Sequence, residues 1–319
     1  MCPTQSHRRA AEGGEAASPA CSLMGVPFDL GGPARGSSLA PRAIRLAGLA
    51  DRLQALGIRF TDLGDVPVPD HPSPGHPSLR NLEAVTAMSV AAFERARVAN
   101  FADGPLVTVG GDHSIAIGSV AASAAWCHAN GGELGLVWID AHGDFNTAST
   151  TLSGNIHGMP FAIALGLGEP SLTELGGICP KVRPEHAILI GARDLDEDEA
   201  SLIRDTGIRV ITTDEVRSRG LQAVLDEVLP ALVARTSGLH VSLDVDAIDP
   251  DEVPAVGTPV PRGMTVSDMR LAVEAIARTG HLVALDLVEI DPLRDVAGRS
   301  LQVGQDLVVA MLTPARPAA

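Results

Sequence analysis

Leu134–Thr147 reads "LGLVWIDAHGDFNT". An apolar run comes first, and Asp140, His142 and Asp144 then follow at alternate positions. A short unbroken apolar run is what a strand buried on both faces presents, and such strands belong to parallel sheets covered by helices. A carboxylate at the end of a buried strand is costly unless something neutralises it. Residues two apart on an extended chain point the same way. Asp140 and His142 therefore face one point, where divalent cations would offset the buried charge.

The same alternation recurs on either side. Further strands are expected at Ser22–Val26, Pro105–Gly111, Ala187–Ala192, Ile208–Thr213, Leu239–Asp246 and His281–Ile290, with a weaker one at Ile58–Gly64. Helical patterns fall between them, including "PRAIRLAGLADRLQAL", "SLRNLEAVTAMSVAAFERARVANF", "DEDEASLIRDTG", "TDEVRSRGLQAVLDEVLPALVAR" and "TVSDMRLAVEAIARTG". Several open on Ser, Thr or Asp as N-caps, and two close on Gly. Strands alternating with helices predict an α/β fold with a mostly parallel sheet helix-covered on both faces. The Pro-rich stretch Asp65–Arg80 reads as a loop within one domain. Residues 1–20 read as a disordered leader and 21–319 as a single catalytic domain.

The chain has 319 residues and a net charge of -15. That balance argues against a nucleic-acid surface and against docking on anionic lipid, and no apolar stretch is long enough to cross a membrane. Four cysteines, none at CxxC spacing, read as free thiols and point to a cytoplasmic setting.

Ionisable residues gather where strands end, which is where parallel α/β sheets carry function. "VTVGGDHS" brings Asp112 and His113, "VSLDVDAIDP" brings Asp244 and Asp246, and "ALDLVEIDP" brings Asp286 and Glu289. Two carboxylate pairs and two histidines supply ligands for two cations. The excess of carboxylate oxygen and the absence of cysteine favour Mn²⁺ over structural Zn²⁺. "DVDAIDPDE" is not a calcium loop, since Ile248 and Asp249 stand where such a loop needs a ligand and a glycine. Asp249 reads as a turn residue before Pro250. Among the other histidines, His157 in the loop "SGNIHGMP" suits a proton shuttle. His7, His71, His76, His128, His186, His240 and His281 read as structural.

Together, "GGDHS", "WIDAHGDFNT" and "SLDVDAIDP" resemble the metal-binding signatures of the ureohydrolases, the arginase and agmatinase family, and the likeness runs from "GVPFDLGGPARG" to "LDLVEIDP". The resemblance implies a single three-layer α/β/α domain and two Mn²⁺ per subunit. One ion would be held by His113, Asp140, Asp144 and Asp244. The other would be held by Asp140, His142, Asp244 and Asp246, with Asp140 and Asp244 bridging. It implies attack of a metal-bridging hydroxide on a guanidinium carbon, with Asp144 relaying the proton, His157 shuttling it and Glu289 pairing with the guanidinium.

The substrate loops resemble the arginase version. Asn146, Thr151 and Ser153 match residues that grip an α-carboxylate, and Asp196, supported by Glu199, matches the acceptor of an α-ammonium. Arg35 matches a rim arginine, and Thr258 matches a residue that hydrogen-bonds the catalytic glutamate. Asp286 is expected to back a metal-bound histidine. L-Arginine, cleaved to L-ornithine and urea, is therefore the expected substrate. Agmatine, 4-guanidinobutyrate and hydroxyarginine are the alternatives with the same metal chemistry. A non-catalytic metal-binding scaffold fits poorly, because binding metal does not require His157 or Glu289. The resemblance also implies a homotrimer or homohexamer.

Overall fold

The computed structural model of the chain describes residues 19–99 and 101–313. Eight strands form one sheet: β1 (Ala20–Val26), β2 (Arg59–Asp65), β3 (Leu106–Gly110), β4 (Leu134–Ile139), β5 (Ala187–Ala192), β6 (Arg209–Thr212), β7 (Gly238–Asp244) and β8 (Leu282–Val288). Their order is β2-β1-β3-β8-β7-β4-β5-β6, and every neighbouring pair is parallel. β3, β4, β5 and β7 are buried along their whole length, whereas β2 and β6 at the edges carry exposed positions. The polar composition that made Ile58–Gly64 the weakest strand candidate is what an edge strand tolerates.

Alternation along β4 divides the core in two. Leu134, Leu136 and Trp138 pack with Val85, Met88 and Val120 of the helices Leu82–Ala96 and Ala116–Ala129. Val137 and Ile139 pack with Leu225, Val273 and Val308 of the helices Leu221–Arg235, Val266–Arg278 and Arg299–Leu312. Neighbouring side chains of a strand point to opposite faces, so one apolar run feeds two hydrophobic layers.

Three details differ from the sequence reading. Ala20 begins β1, so the expected leader boundary is one residue too long, and residues 1–18 lie outside the described residues. Two long helical patterns are each divided, at Gly48 (φ 81°) and Gly220 (φ 79°), where the chain adopts backbone angles that only glycine takes at little cost. The helix Ala116–Ala129 carried no amphipathic stripe to read, because it is made of small and apolar residues and is buried from Ala116 through Ala124. Its Gly118 lies so close to the neighbouring helix that an added Cβ would stand 2.6 Å from the Ser89 carbonyl oxygen.

The carboxyl ends of β3, β8, β7 and β4 lie side by side. The segments that leave them carry Asp112–His113, Glu289, Asp244–Asp246 and Asp140–Asp144, so the site is fixed by strand order.

Candidate active site

His113 Nδ1 lies 3.0 Å from Asp140 Oδ2, 2.9 Å from Asp144 Oδ2 and 3.4 Å from Asp244 Oδ2. His142 Nδ1 lies 3.3 Å from Asp140 Oδ1 and 3.1 Å from Asp246 Oδ2. Two groups thus form, His113–Asp140–Asp244 and Asp140–His142–Asp246, each with its ligand atoms mutually within 4.8 Å, and Asp140 belongs to both. Although close, His113 Nδ1 and Asp144 Oδ2 have no hydrogen-bond partner. They converge on a common point instead of pointing at each other. Adjacent ligands about 2.1 Å from one ion stand about 3 Å apart, so these spacings and the unpartnered atoms fit a divalent cation.

The tautomer of His113 follows from its other nitrogen. Ser242 Oγ lies 3.3 Å from Asp286 Oδ2, to which only the hydroxyl can donate, and 2.9 Å from His113 Nε2. Ser242 therefore accepts from Nε2–H, which leaves the Nδ1 lone pair facing the carboxylates.

The electrostatics show what the site needs. Burial, reinforced by Asp140, pushes the Asp144 carboxyl up to about 7, and burial beside Asp246 and Asp140 holds Asp244 well above the usual range. Burial opposes ionisation of Asp140, but hydrogen bonding to His113 and His142 overcomes it and keeps Asp140 low. Burial also opposes protonation of both imidazoles, yet the surrounding carboxylates raise them. Four carboxylates compete for protons that two divalent cations would replace.

The remaining expected residues surround this cluster. A cleft of about 180 Å³ is lined by His142, Asp144, Asn146, Ser153, His157, Gly158, Asp194, Asp196, Glu199, Asp244 and Thr258. His157 Nδ1 lies 3.1 Å from Glu289 Oε1, which also accepts from the His113 amide at 3.0 Å. Burial opposes protonation of His157, but Glu289 raises it to about 9. Asn146 Nδ2 donates to Asp196 Oδ2 at 3.1 Å, so the expected carboxylate grip and ammonium acceptor touch each other. Glu199 accepts from the amides of Phe145 (2.8 Å) and Asp196 (3.3 Å), tying the 140–146 loop to the start of the helix Glu197–Thr206.

Two expectations need correction, and two further residues stand outside the cleft lining. Thr258 donates to Asp246 Oδ2 at 3.1 Å and not to Glu289. The adjacent Gly257 is the residue that faces Glu289, whose Oε2 would lie 3.2 Å from an added Cβ. Asp286 contacts no metal-site histidine directly. It accepts from His240 at 2.8 Å and from Ser119 at 2.7 Å, and it reaches His113 only through Ser242. Thr151 does not line the cleft, and its hydroxyl accepts the Gly154 amide at 2.9 Å. Arg35 also lies off the cleft wall. It pairs with the buried Asp29 at 2.6 Å and leaves its side chain 54% exposed.

The Arginase family model matches residues 19–313. The chain belongs to the arginase family. It is 44% identical over 291 residues to the arginase of Bacillus caldovelox, a match covering 90% of this chain and 96% of that protein. It is 41% identical to the arginase of Bacillus subtilis (strain 168), covering 91% and 97% respectively. The structure of the Bacillus caldovelox arginase superposes with a TM-score of 0.87, covering 94% of this chain and all of that one. The chain is therefore an enzyme of this family, with the arginase-like α/β fold, and it fits the bacterial arginases.

For a member of the arginase family, some residues around the site carried no signal on their own. Asp112, read only as part of "GGDHS", accepts from the amides of Gly31 (2.7 Å) and Gly32 (3.1 Å) and fixes the loop that packs on His157. Arg193 donates to the carbonyls of Asp246 and Val260 at 2.8 and 2.7 Å, holding two site loops together. Asp194, at the cleft, stands 4.0 Å from His142 Nε2. Only its position two residues before Asp196 hinted at that.

Proposed function

We propose that the chain hydrolyses L-arginine to L-ornithine and urea, using two Mn²⁺ held by His113, Asp140, His142, Asp144, Asp244 and Asp246. The observation that carries the choice of substrate is the Asn146–Asp196 pair in the same cleft as the cation cluster. An amino-acid substrate needs an acceptor for its ammonium and neutral donors for its carboxylate. Asp196 offers the first, and the second amide hydrogen of Asn146 and the Ser153 hydroxyl offer the others.

When bound, the cations supply a water activated for attack at neutral pH. The chain does the rest. Four ligand carboxylates balance two divalent charges, so the carboxylate of Glu289 remains to pair with the guanidinium. Asp144, at the cleft wall, takes the proton given up by the attacking water and passes it to the leaving amine. His157, hydrogen-bonded to Glu289 and reaching the cleft, brings a further proton from solvent to the departing amine.

The family resemblance also supports a homotrimer or homohexamer and one catalytic domain over 21–319. The free thiols of Cys21, Cys127 and Cys179 suit a cytoplasmic setting. Among the described residues, no helix is long and apolar enough to cross a membrane.

A urea-release assay with Mn²⁺ against arginine, agmatine and 4-guanidinobutyrate tests the proposal. The highest kcat/KM is expected for arginine. Equal or better use of agmatine would reduce the reading to an unspecified ureohydrolase.

A further inference from the structure

Trp138 is fully buried on β4, two residues before Asp140. Its indole lies face to face with the His113 imidazole, with centroids 4.1 Å apart and planes 15° from parallel. Its Nε1–H donates to Asp140 Oδ2 at 3.1 Å. It also stacks on Phe161 at 5.1 Å and 2°. A phenyl ring would fill this layer. It could not supply a directed donor to the carboxylate that both ligand groups share.

The two constraints on His113 are complementary. Ser242 sets the rotation of the imidazole in its own plane through Nε2. The indole blocks tilting out of that plane. Asp140 is restrained in the same way, because one oxygen is held by Trp138 while the other accepts the His142 amide at 2.7 Å. We propose that Trp138 is a positioning residue of the cation site, holding the His113 ring and the Asp140 carboxylate in the geometry that binds the ion facing His113. This rests on reading the cluster as a cation site. Partners that orient metal ligands are worth about 10- to 100-fold in metal affinity.

The test measures Mn²⁺ stoichiometry and affinity by equilibrium dialysis, with melting temperature alongside, for the wild type, Trp138→Phe and Phe161→Leu. Phe161→Leu disturbs the same aromatic layer but keeps the indole and its hydrogen bond. The expected result is that Trp138→Phe binds one ion about tenfold more weakly. Phe161→Leu should melt earlier with both affinities unchanged. If Trp138→Phe binds both ions as the wild type does, the inference is overturned. Parallel losses of affinity and melting temperature in both variants overturn it too, because packing alone would explain them.

The chain has two tryptophans, and the other, Trp126, packs on Phe101. The Trp126→Phe protein therefore reports Trp138 alone, even where Trp138→Phe does not fold. Its emission should change as diamagnetic Zn²⁺ fills the site, and unchanged emission at full occupancy overturns the inference. A wild type that binds no ion removes the cation-site reading, and this inference with it. A wild type with two ions and unaffected variants removes only the role of Trp138.

Discussion

Asp144 and Glu289 both have left-handed backbones, with φ of 47° and 64°. Such conformations cost about 1–3 kcal/mol for residues other than glycine and persist where the surrounding structure enforces them. Glu289 is enforced by its amide donating to Gly111 and by its carboxylate holding the His113 amide, two bonds to the end of β3. The individual residues make separable predictions. Asp140→Asn should lose bound metal and turnover together, because Asp140 belongs to both ligand groups; metal analysis that finds two ions in an active variant would refute this. His157→Ala should keep its ions and lose about 10²–10⁴-fold in kcat, and loss of metal instead would show that the imidazole is a ligand. Asp196→Ala should lower kcat/KM for arginine by about ten- to a hundredfold. Since Asn146 leans on Asp196, the double variant with Asn146→Ala should cost less than the two single losses combined. The cation cluster was legible because its residues alternate after several separate apolar runs, a repetition that independent turn residues would not be expected to produce. Trp138 and Ser242 were not legible, since an indole and a hydroxyl inside a buried strand look like ordinary filling until their partners across the sheet are known.

At the scale of elements, all eight strands were readable, because each interior strand is a nearly continuous apolar run and each edge strand is interrupted by polar residues. Helices were readable where one face is polar and the ends are capped. The helix Val266–Arg278 is the clearest case: Thr265 Oγ1 accepts the Asp268 amide at 3.0 Å, and the Asp268 carboxylate accepts the Thr265 amide at 3.0 Å. Thr265→Ala should destabilise the protein by about 1 kcal/mol, visible as a lower denaturant midpoint at an unchanged slope, and an unchanged midpoint would show that the cap is idle. The helix Ala116–Ala129 was missed for the opposite reason. It is buried on all sides from Ala116 through Ala124, and its small residues serve close packing and the Ser119–Asp286 bond instead of an amphipathic stripe.

For the molecule as a whole, the proposed cations and the fold would depend on each other. Without ions, Asp144 in the folded state has a pKa raised to about 7, above the ~3.9 of a free aspartate. The folded state then binds the proton more tightly than the unfolded chain does, so stability from this group is present below about pH 4 and lost as pH rises toward 7. Ions bind the deprotonated ligands and reverse that loss. Scanning calorimetry of Mn²⁺-loaded and chelator-treated protein should therefore show a melting-temperature gap that widens from about pH 5 to about pH 7.5; a constant gap would mean that protons and ions do not compete there. The strand order carries one more consequence, for how the chain acquires its shape. β3 lies beside β8, with Leu106 opposite Ala284, so the first ligand-bearing strand waits for nearly the last element of the chain. Contacts between such distant segments form late, after the entropy of closing a long loop has been met. A ribosome that has not yet released β8 holds a chain with no place to keep His113 against Glu289, so the part of the site built around His113 is completed only once synthesis is almost finished.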